Sequence, residues 1–310
     1  MNSSVVIRAI TAILLLINQI GYGQSFFLQA FQQLSDQPSL VSFRNSQSIN
    51  AQGGHIQGVQ RVKDYYLLSG SSSTVSYFAT VTQGEVVRVD TLLPRPYKHA
   101  GGFQVNGGLL VVGVEDNEAK NKSRVLVYDF SDPLQPLGQP LQVVQREDKV
   151  KRATAGCVAV ASYQGQYILL VGDWDTRHLD LYQIPADQIN NTTMSFKLIQ
   201  SIALENYSRA EWVDENWWPY QNINLFHSDD KLYLVGLGIN NQEENVADVY
   251  TLTPEPELHL VKVASRTFPR QSATSFLWGA GVNWQPEKER MRILATPYTI
   301  SKENAMIIYE

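Results

Sequence analysis

Lys98–Val144 reads KHAGGFQVNGGLLVVGVEDNEAKNKSRVLVYDFSDPLQPLGQPLQVV. Four short strands follow one another in this stretch. Gly102–Val105 enters, Asn106-Gly107-Gly108 turns, and Leu109–Val114 returns as an apolar run. Glu115–Ser123 is a polar loop, Arg124–Phe130 a third strand, Ser131–Gly138 a second turn and Gln139–Val144 a fourth strand. β-branched residues fill the runs and turn-forming residues bound them, which is the pattern of an antiparallel meander. At about 40–50 residues, such a unit has the size of one β-propeller blade.

The rest of the chain repeats the unit imperfectly. HAGGFQV in the quoted stretch lies over HIQGVQR before it and ATAGCVA after it. LLVVGVED lies over YLLSGSS, ILLVGDWD and LYLVGLGI, and VLVYDF over LDLYQI, DVYTL and MIIYE. The repeats begin near His55, Lys98, Ala153, Tyr220 and Gln271, and the last has only three strands before the chain stops at Glu310. Ser25–Leu34 (SFFLQAFQQL) alternates apolar and polar residues and is the expected donor of the missing outer strand. The expectation is an all-β fold, a five-bladed β-propeller closed by an N-terminal strand in the last blade. A six-bladed ring and a two-sheet β-sandwich are the alternatives.

Val125–Pro136, VLVYDFSDPLQP, resembles the LVIVP-like blades of secreted bacterial β-propeller repeat proteins. The resemblance implies the fold. It carries no catalytic residue across, because such repeats serve many functions.

The chain opens MNSSVVIRAITAILLLINQIGYGQS, with Arg8 before an apolar core and small residues near Gly21–Gly23. Residues 1–24 read as a secretory signal peptide and residues 25–310 as a single domain, so the expected location is secreted or periplasmic. No later segment is long and apolar enough to span a membrane. Loss of residues 1–24 removes one of 25 basic residues and none of the 30 acidic ones, leaving a net charge of −6. That balance argues against nucleic acid as a partner. Cys157 is the single cysteine. It lies in the apolar run AGCVAVA and reads as a small buried residue, so packing and strand pairing must hold the fold without disulfides.

Propeller connectivity gathers several loops on one face. Lys98, Arg152 and Arg270 align just before the innermost strands of three repeats, with His55 and His99 beside them. Three cations at a channel mouth would suit a small anionic ligand; the competing reading is that local acids pair with them. Asp173-Trp174-Asp175 offers two carboxylates, for Ca²⁺ or for acid–base work, against a simple Asp–Arg pair with Arg177. The sequence lacks the glycine and distal acid of a full Ca²⁺ loop, so no cofactor is expected and Ca²⁺ stays open. Arg209–Tyr220 (RAEWVDENWWPY) carries Trp217 and Trp218, which either stack on a sugar or pin their own loop. No G-x-S-x-G nucleophile motif occurs.

The resulting candidate ligand-binding set is His55, Lys98, His99, Arg152, Asp173, Trp174, Trp217, Trp218 and Arg270. The expected function is a non-enzymatic module that binds a small anionic or sugar ligand, or another extracellular protein. The alternative is a secreted hydrolase or lyase acting on a carbohydrate or ester, Ca²⁺-assisted. Asp173, Asp175, Glu115, Asp116 and the histidines would then be its working groups.

Overall fold

The computed structural model describes residues 25–47, 49, 54–147, 153–271 and 273–310. The expected signal peptide and Arg152 lie outside the described residues. The described chain is all-β apart from one short helix and a few single turns, and it has the β-propeller plan of four-stranded units repeated about an axis.

The helix α1 (Phe26–Gln32) comes first, followed by strand β1 (Ser39–Arg44). The first unit is then β2 (Gly54–Val62), β3 (Tyr65–Ser72), β4 (Val75–Thr82) and β5 (Glu85–Pro94). The second is β6 (His99–Asn106), β7 (Leu109–Glu115), β8 (Lys122–Asp129) and β9 (Gln142–Glu147). The third is β10 (Cys157–Tyr163), β11 (Gln166–Gly172), β12 (His178–Pro185) and β13 (Lys197–Ala203). The fourth is β14 (Asn222–Ser228), β15 (Lys231–Ile239), β16 (Asn245–Thr253) and β17 (His259–Phe268). The last contains β18 (Ala280–Gln285), β19 (Arg290–Ala295) and β20 (Glu303–Tyr309). Within each unit, neighbours in sequence pair antiparallel.

The N-terminal segment does complete the last unit, with different residues from those expected. β1 pairs antiparallel with β20, from Ser39 opposite Ile308 to Arg44 opposite Glu303. Ser25–Leu34 instead holds α1. Its buried residues are Phe27, Ala30 and Phe31, with Leu34 beyond, and that spacing is the stripe of a helix rather than the face of a strand. The stripe packs on Tyr233, Phe226 and Val282, and Phe27 stacks on Tyr233 at 4.6 Å. β18 also departs from expectation. Of the run SATSFLW, residues 273–278 form turns and one isolated bridge, and the strand follows at Ala280–Gln285.

The innermost strands β2, β6, β10, β14 and β18 pair with one another only at single positions, Gly102 with Cys157 and Gly58 with Ala280, so most of their inner edge has no strand partner among the described residues. Buried backbone N–H and C=O groups must find partners, and here amide side chains supply them. Gln104 Oε1 accepts from the N–H of Val160 at 3.0 Å and of Leu225 at 2.9 Å, while its Nε2 donates to the Leu225 carbonyl at 2.8 Å. Asn224 Oδ1 accepts from Val282 N–H at 2.7 Å and Gln60 Nε2 at 3.2 Å. Asn106 Nδ2 reaches the Val160 carbonyl at 2.9 Å, and Asn283 Nδ2 the Arg61 carbonyl at 3.1 Å. These side chains join β2, β6, β10, β14 and β18 to one another. Among the described residues, no helix is long and apolar enough to cross a membrane.

Gln104→Met keeps the volume and removes both ends of this link. The Val160 and Leu225 N–H groups then lose their partner, while the Leu225 carbonyl keeps Asn106 Nδ2 at 3.1 Å; each buried group left unsatisfied costs about 1–3 kcal/mol. The expected outcome is a loss of at least about 2 kcal/mol in urea unfolding with an unchanged slope. A change near zero would mean that water replaces the amide.

Candidate functional site

His55 is the second residue of β2 and His99 the first of β6, so the two imidazoles stand where the first two units meet. Their Nε2 atoms face each other at 3.2 Å. Behind His55, Ser71 Oγ lies 3.1 Å from Nδ1. Behind His99, Glu115 Oε1 lies 3.1 Å from Nδ1, in contact but not in the direction of a hydrogen bond. The Glu115 side chain is fully buried, and its Oε2 accepts from the Ala155 N–H at 2.8 Å. Ser71, His55, His99 and Glu115 thus form a polar chain across the first two units, and the Ala155 N–H ties its end to the third. Burial first, and His99 second, push the His55 imidazole down to about 4. His55 is therefore neutral at pH 7 and meets a ligand as a hydrogen-bonding group, not as a cation.

Aromatic rings continue the line on both sides. Tyr298 stacks on His55 with centroids 4.8 Å apart and planes 16° apart. Trp278 lies against Tyr298 at 4.6 Å. On the other side Trp174 sits 6.0 Å from His99, with the Lys120 ammonium 3.6 Å from its ring centroid. The strip Trp278–Tyr298–His55–His99–Trp174 draws on the fifth, first, second and third units. Asn222 of β14 ties the fourth unit to it by donating to the Trp278 carbonyl at 3.0 Å. Tyr298 is the most open ring of the strip, at 42% exposure.

The structure distributes the sequence-derived residues unevenly. His55, His99 and Trp174 come together. Lys98 is tied to Glu118 at 2.6 Å and Arg270 to Glu243 at 3.3 Å. Each of these two rim cations has a local acid, so the pair does not stand as a free anion cradle. Asp173 and Asp175 also go separate ways. Asp173 accepts from the His178 N–H at 2.9 Å and lies 2.8 Å from its Nδ1, with burial raising its pKa. Asp175 pairs with Arg177 at 3.1 Å. Among the described residues, no group of three or more His, Cys, Asp or Glu is placed to hold a metal ion. Asp116 caps its own loop, accepting from the N–H groups of Glu118 at 3.1 Å and Ala119 at 3.0 Å.

Trp217 and Trp218 belong to packing. Trp217 donates to the Thr176 carbonyl at 3.1 Å and meets Tyr220 at 4.7 Å and Tyr250 at 5.3 Å; Trp218 packs on the same cluster. Beneath them, the buried Lys262 ammonium lies 2.9 Å from Asp214 and 3.0 Å from Asp248, and Tyr220 donates to Asp248. Burial raises the pKa of Asp248, and the lysine opposes that shift. The tryptophan loop is therefore pinned by a buried ion network.

Sequence reasoning missed Ser71, Trp278 and Tyr298 as members of the site, and it placed Glu115 only among the groups of the alternative. The available signal was positional: the Ser-rich end of β3 lies opposite His55, and the YTISKEN loop ends on the same rim.

No family model matches the chain, and no curated protein matches it. Among solved structures, the chain is similar to the catalytic domain of a Coprinopsis cinerea GH62 α-L-arabinofuranosidase, at a TM-score of 0.49 and 10% identity, covering 87% of this chain and 97% of that one. The α-L-arabinofuranosidase of Podospora anserina in complex with cellotriose gives 0.48 and 10%, over 89% and 98%. Glutaminyl cyclase of Myxococcus xanthus gives 0.45 and 10%, over 88% and 97%. Likeness of this degree assigns no activity.

Two outcomes follow from the buried groups. Lys262→Met leaves Asp248 without its cation, at about 3–5 kcal/mol for a broken buried pair. It should lower the unfolding midpoint and shift tryptophan emission to the red; unchanged emission would mean the loop is held by its rings alone. Cys157 is buried against Thr176, and burial pushes its thiol up to about 12. At pH 8 a thiol reagent should label the folded protein far more slowly than the urea-unfolded chain. Equal rates would place Cys157 at the surface.

Proposed function

We propose that the protein is a secreted five-bladed β-propeller that binds a neutral sugar residue at the mouth of its closed axis. One observation supports this reading above the rest: three aromatic rings, Trp278, Tyr298 and Trp174, flank the pair of imidazoles His55 and His99 in one strip. Aromatic faces give contact area to the C–H faces of a sugar at low entropy cost. The imidazoles and Ser71 match its hydroxyls. A small anion fits less well, because Lys98 and Arg270 are engaged with Glu118 and Glu243.

A second reading, hydrolysis of the bound carbohydrate, is favoured by the chain Ser71–His55–His99–Glu115. It lines polar groups from the mouth to a buried carboxylate, with a 3.1 Å contact rather than a hydrogen bond at the His99–Glu115 end. Direct glycoside hydrolysis usually sets two carboxyl groups about 5–10 Å apart around the scissile bond. Here Glu115 is shielded behind His99, so proton transfer would have to pass through the imidazoles.

Calorimetric titration of the protein with neutral and acidic oligosaccharides tests both readings. A neutral sugar is expected to bind, with Tyr298→Ala and Trp278→Ala each weakening it about 3- to 10-fold, the range of one lost ring contact. Binding by none of the sugars, or binding indifferent to both substitutions, would end the sugar reading. Release of reducing ends by the wild type, abolished in His99→Gln while binding persists, would establish hydrolysis.

A further inference from the structure

The two histidines are held in an unusual way. Each ring has an oxygen at Nδ1: Ser71 Oγ for His55 and Glu115 Oε1 for His99, both at 3.1 Å. Each Nε2 points at the other, 3.2 Å away. For that contact to be a hydrogen bond, one Nε2 must carry a proton. The Nδ1 partners favour a different arrangement. Glu115 is an acceptor when ionised, and a serine hydroxyl accepts as readily as it donates. With both Nδ1 atoms protonated, His55 donates to Ser71 Oγ, His99 faces the Glu115 carboxylate in charge contact, and both Nε2 lone pairs are left facing each other. A carboxylate behind a histidine is the usual outer support of a histidine metal ligand.

We propose that His55 and His99 form a two-histidine site for a borderline divalent transition metal, of the zinc, cobalt or nickel class, with Glu115 and Ser71 orienting the rings. At a metal–nitrogen bond of about 2.0–2.1 Å, two nitrogens 3.2 Å apart subtend about 100° at the metal, inside the range of tetrahedral and octahedral centres. Binding needs no net loss of a proton. Where His55 carries its proton on Nε2, that proton moves to Nδ1 and Ser71 changes from donor to acceptor. Among the described residues no third His, Cys, Asp or Glu completes the shell, so water or ligand hydroxyls fill the remaining positions, on the side of the ring-walled mouth. Two imidazole nitrogens select against Ca²⁺ and Mg²⁺, which take oxygen ligands. The site uses the same histidines as the sugar reading but stands without a sugar.

The test is titration of the purified protein, free of added tag histidines, with Co²⁺ alone, followed by d–d absorption. One equivalent is expected to bind with a nitrogen-ligand spectrum, to be displaced by Zn²⁺ and to resist excess Ca²⁺. His55→Gln, at the partly exposed partner, should abolish the band with the melting temperature in the absence of metal preserved. Glu115→Gln should weaken binding about 10- to 100-fold, as loss of an outer partner does. Absence of the band in the wild type, full retention of it in His55→Gln, or displacement by Ca²⁺ would overturn the site. Should His99→Ala fail to fold, His55→Gln alone decides.

Discussion

Everything in this molecule depends on how the inner edges of its sheets are satisfied. An unpaired strand edge is a row of unmet donors and acceptors. In the first through fifth units these edges turn toward one axis, where there is no room for further strands. Gln60, Gln104, Asn106, Asn224 and Asn283 meet the need because a primary amide both donates and accepts. Two sheets can then approach more closely than side-chain packing allows. A Cβ at Gly281 would lie 1.8 Å from the Val59 carbonyl oxygen, so that contact requires glycine.

Closing the axis decides where chemistry can sit. Amide side chains bond the inner strands to one another along their length, and the inner strands bring functional groups together near their first residues. Those residues include His55, His99 and Asn222. The nearest acid, Glu115, comes at the end of the neighbouring strand β7 and is drawn under His99, where the Ala155 N–H holds it. The mouth is consequently poor in free charge and rich in rings and neutral hydrogen-bonding groups. Electrostatic steering of an anion has little to work with there, while shape and stacking have much.

The strands were legible because each apolar run is bounded by glycine, asparagine or aspartate, and the repeat of that punctuation exposed the units. Two segments misled for local reasons. Phe26–Gln32 is short and mostly apolar, so its period is weakly marked; the burial of Phe27, Ala30 and Phe31 in the cluster with Tyr233 and Phe268 makes it a helix. SATSFLW has strand-forming residues, yet Ser275 and Phe276 are bound to the Asn245 side chain, which fixes a turn. The alignment that placed His55 and His99 together was sound because both follow from register. The same alignment put Lys98 and Arg270 on the rim but could not see Glu118 and Glu243 folding back onto them, since loop acids have no register. Tyr298 and Trp278 escaped because they stand in a loop and a turn whose course is set only by the closed ring.

That closure is also where the site lies. The first and last units meet at β2 and β18, through the pair Ala280–Gly58. The Ile56 N–H donates to the Tyr298 carbonyl at 2.9 Å. The stack of Tyr298 on His55 therefore crosses the seam between the two ends of the chain. What holds the seam is β1. It pairs along β20 and turns Arg44 toward both Glu85 of the first unit and Glu303 of the last, at 3.2 and 3.7 Å. Exposed pairs of this kind add little energy individually, so the strand pairing and the burial of Phe43 carry the closure. A site assembled across a seam exists only when the ring is shut, so ligand binding and closure must stabilise one another by mass action.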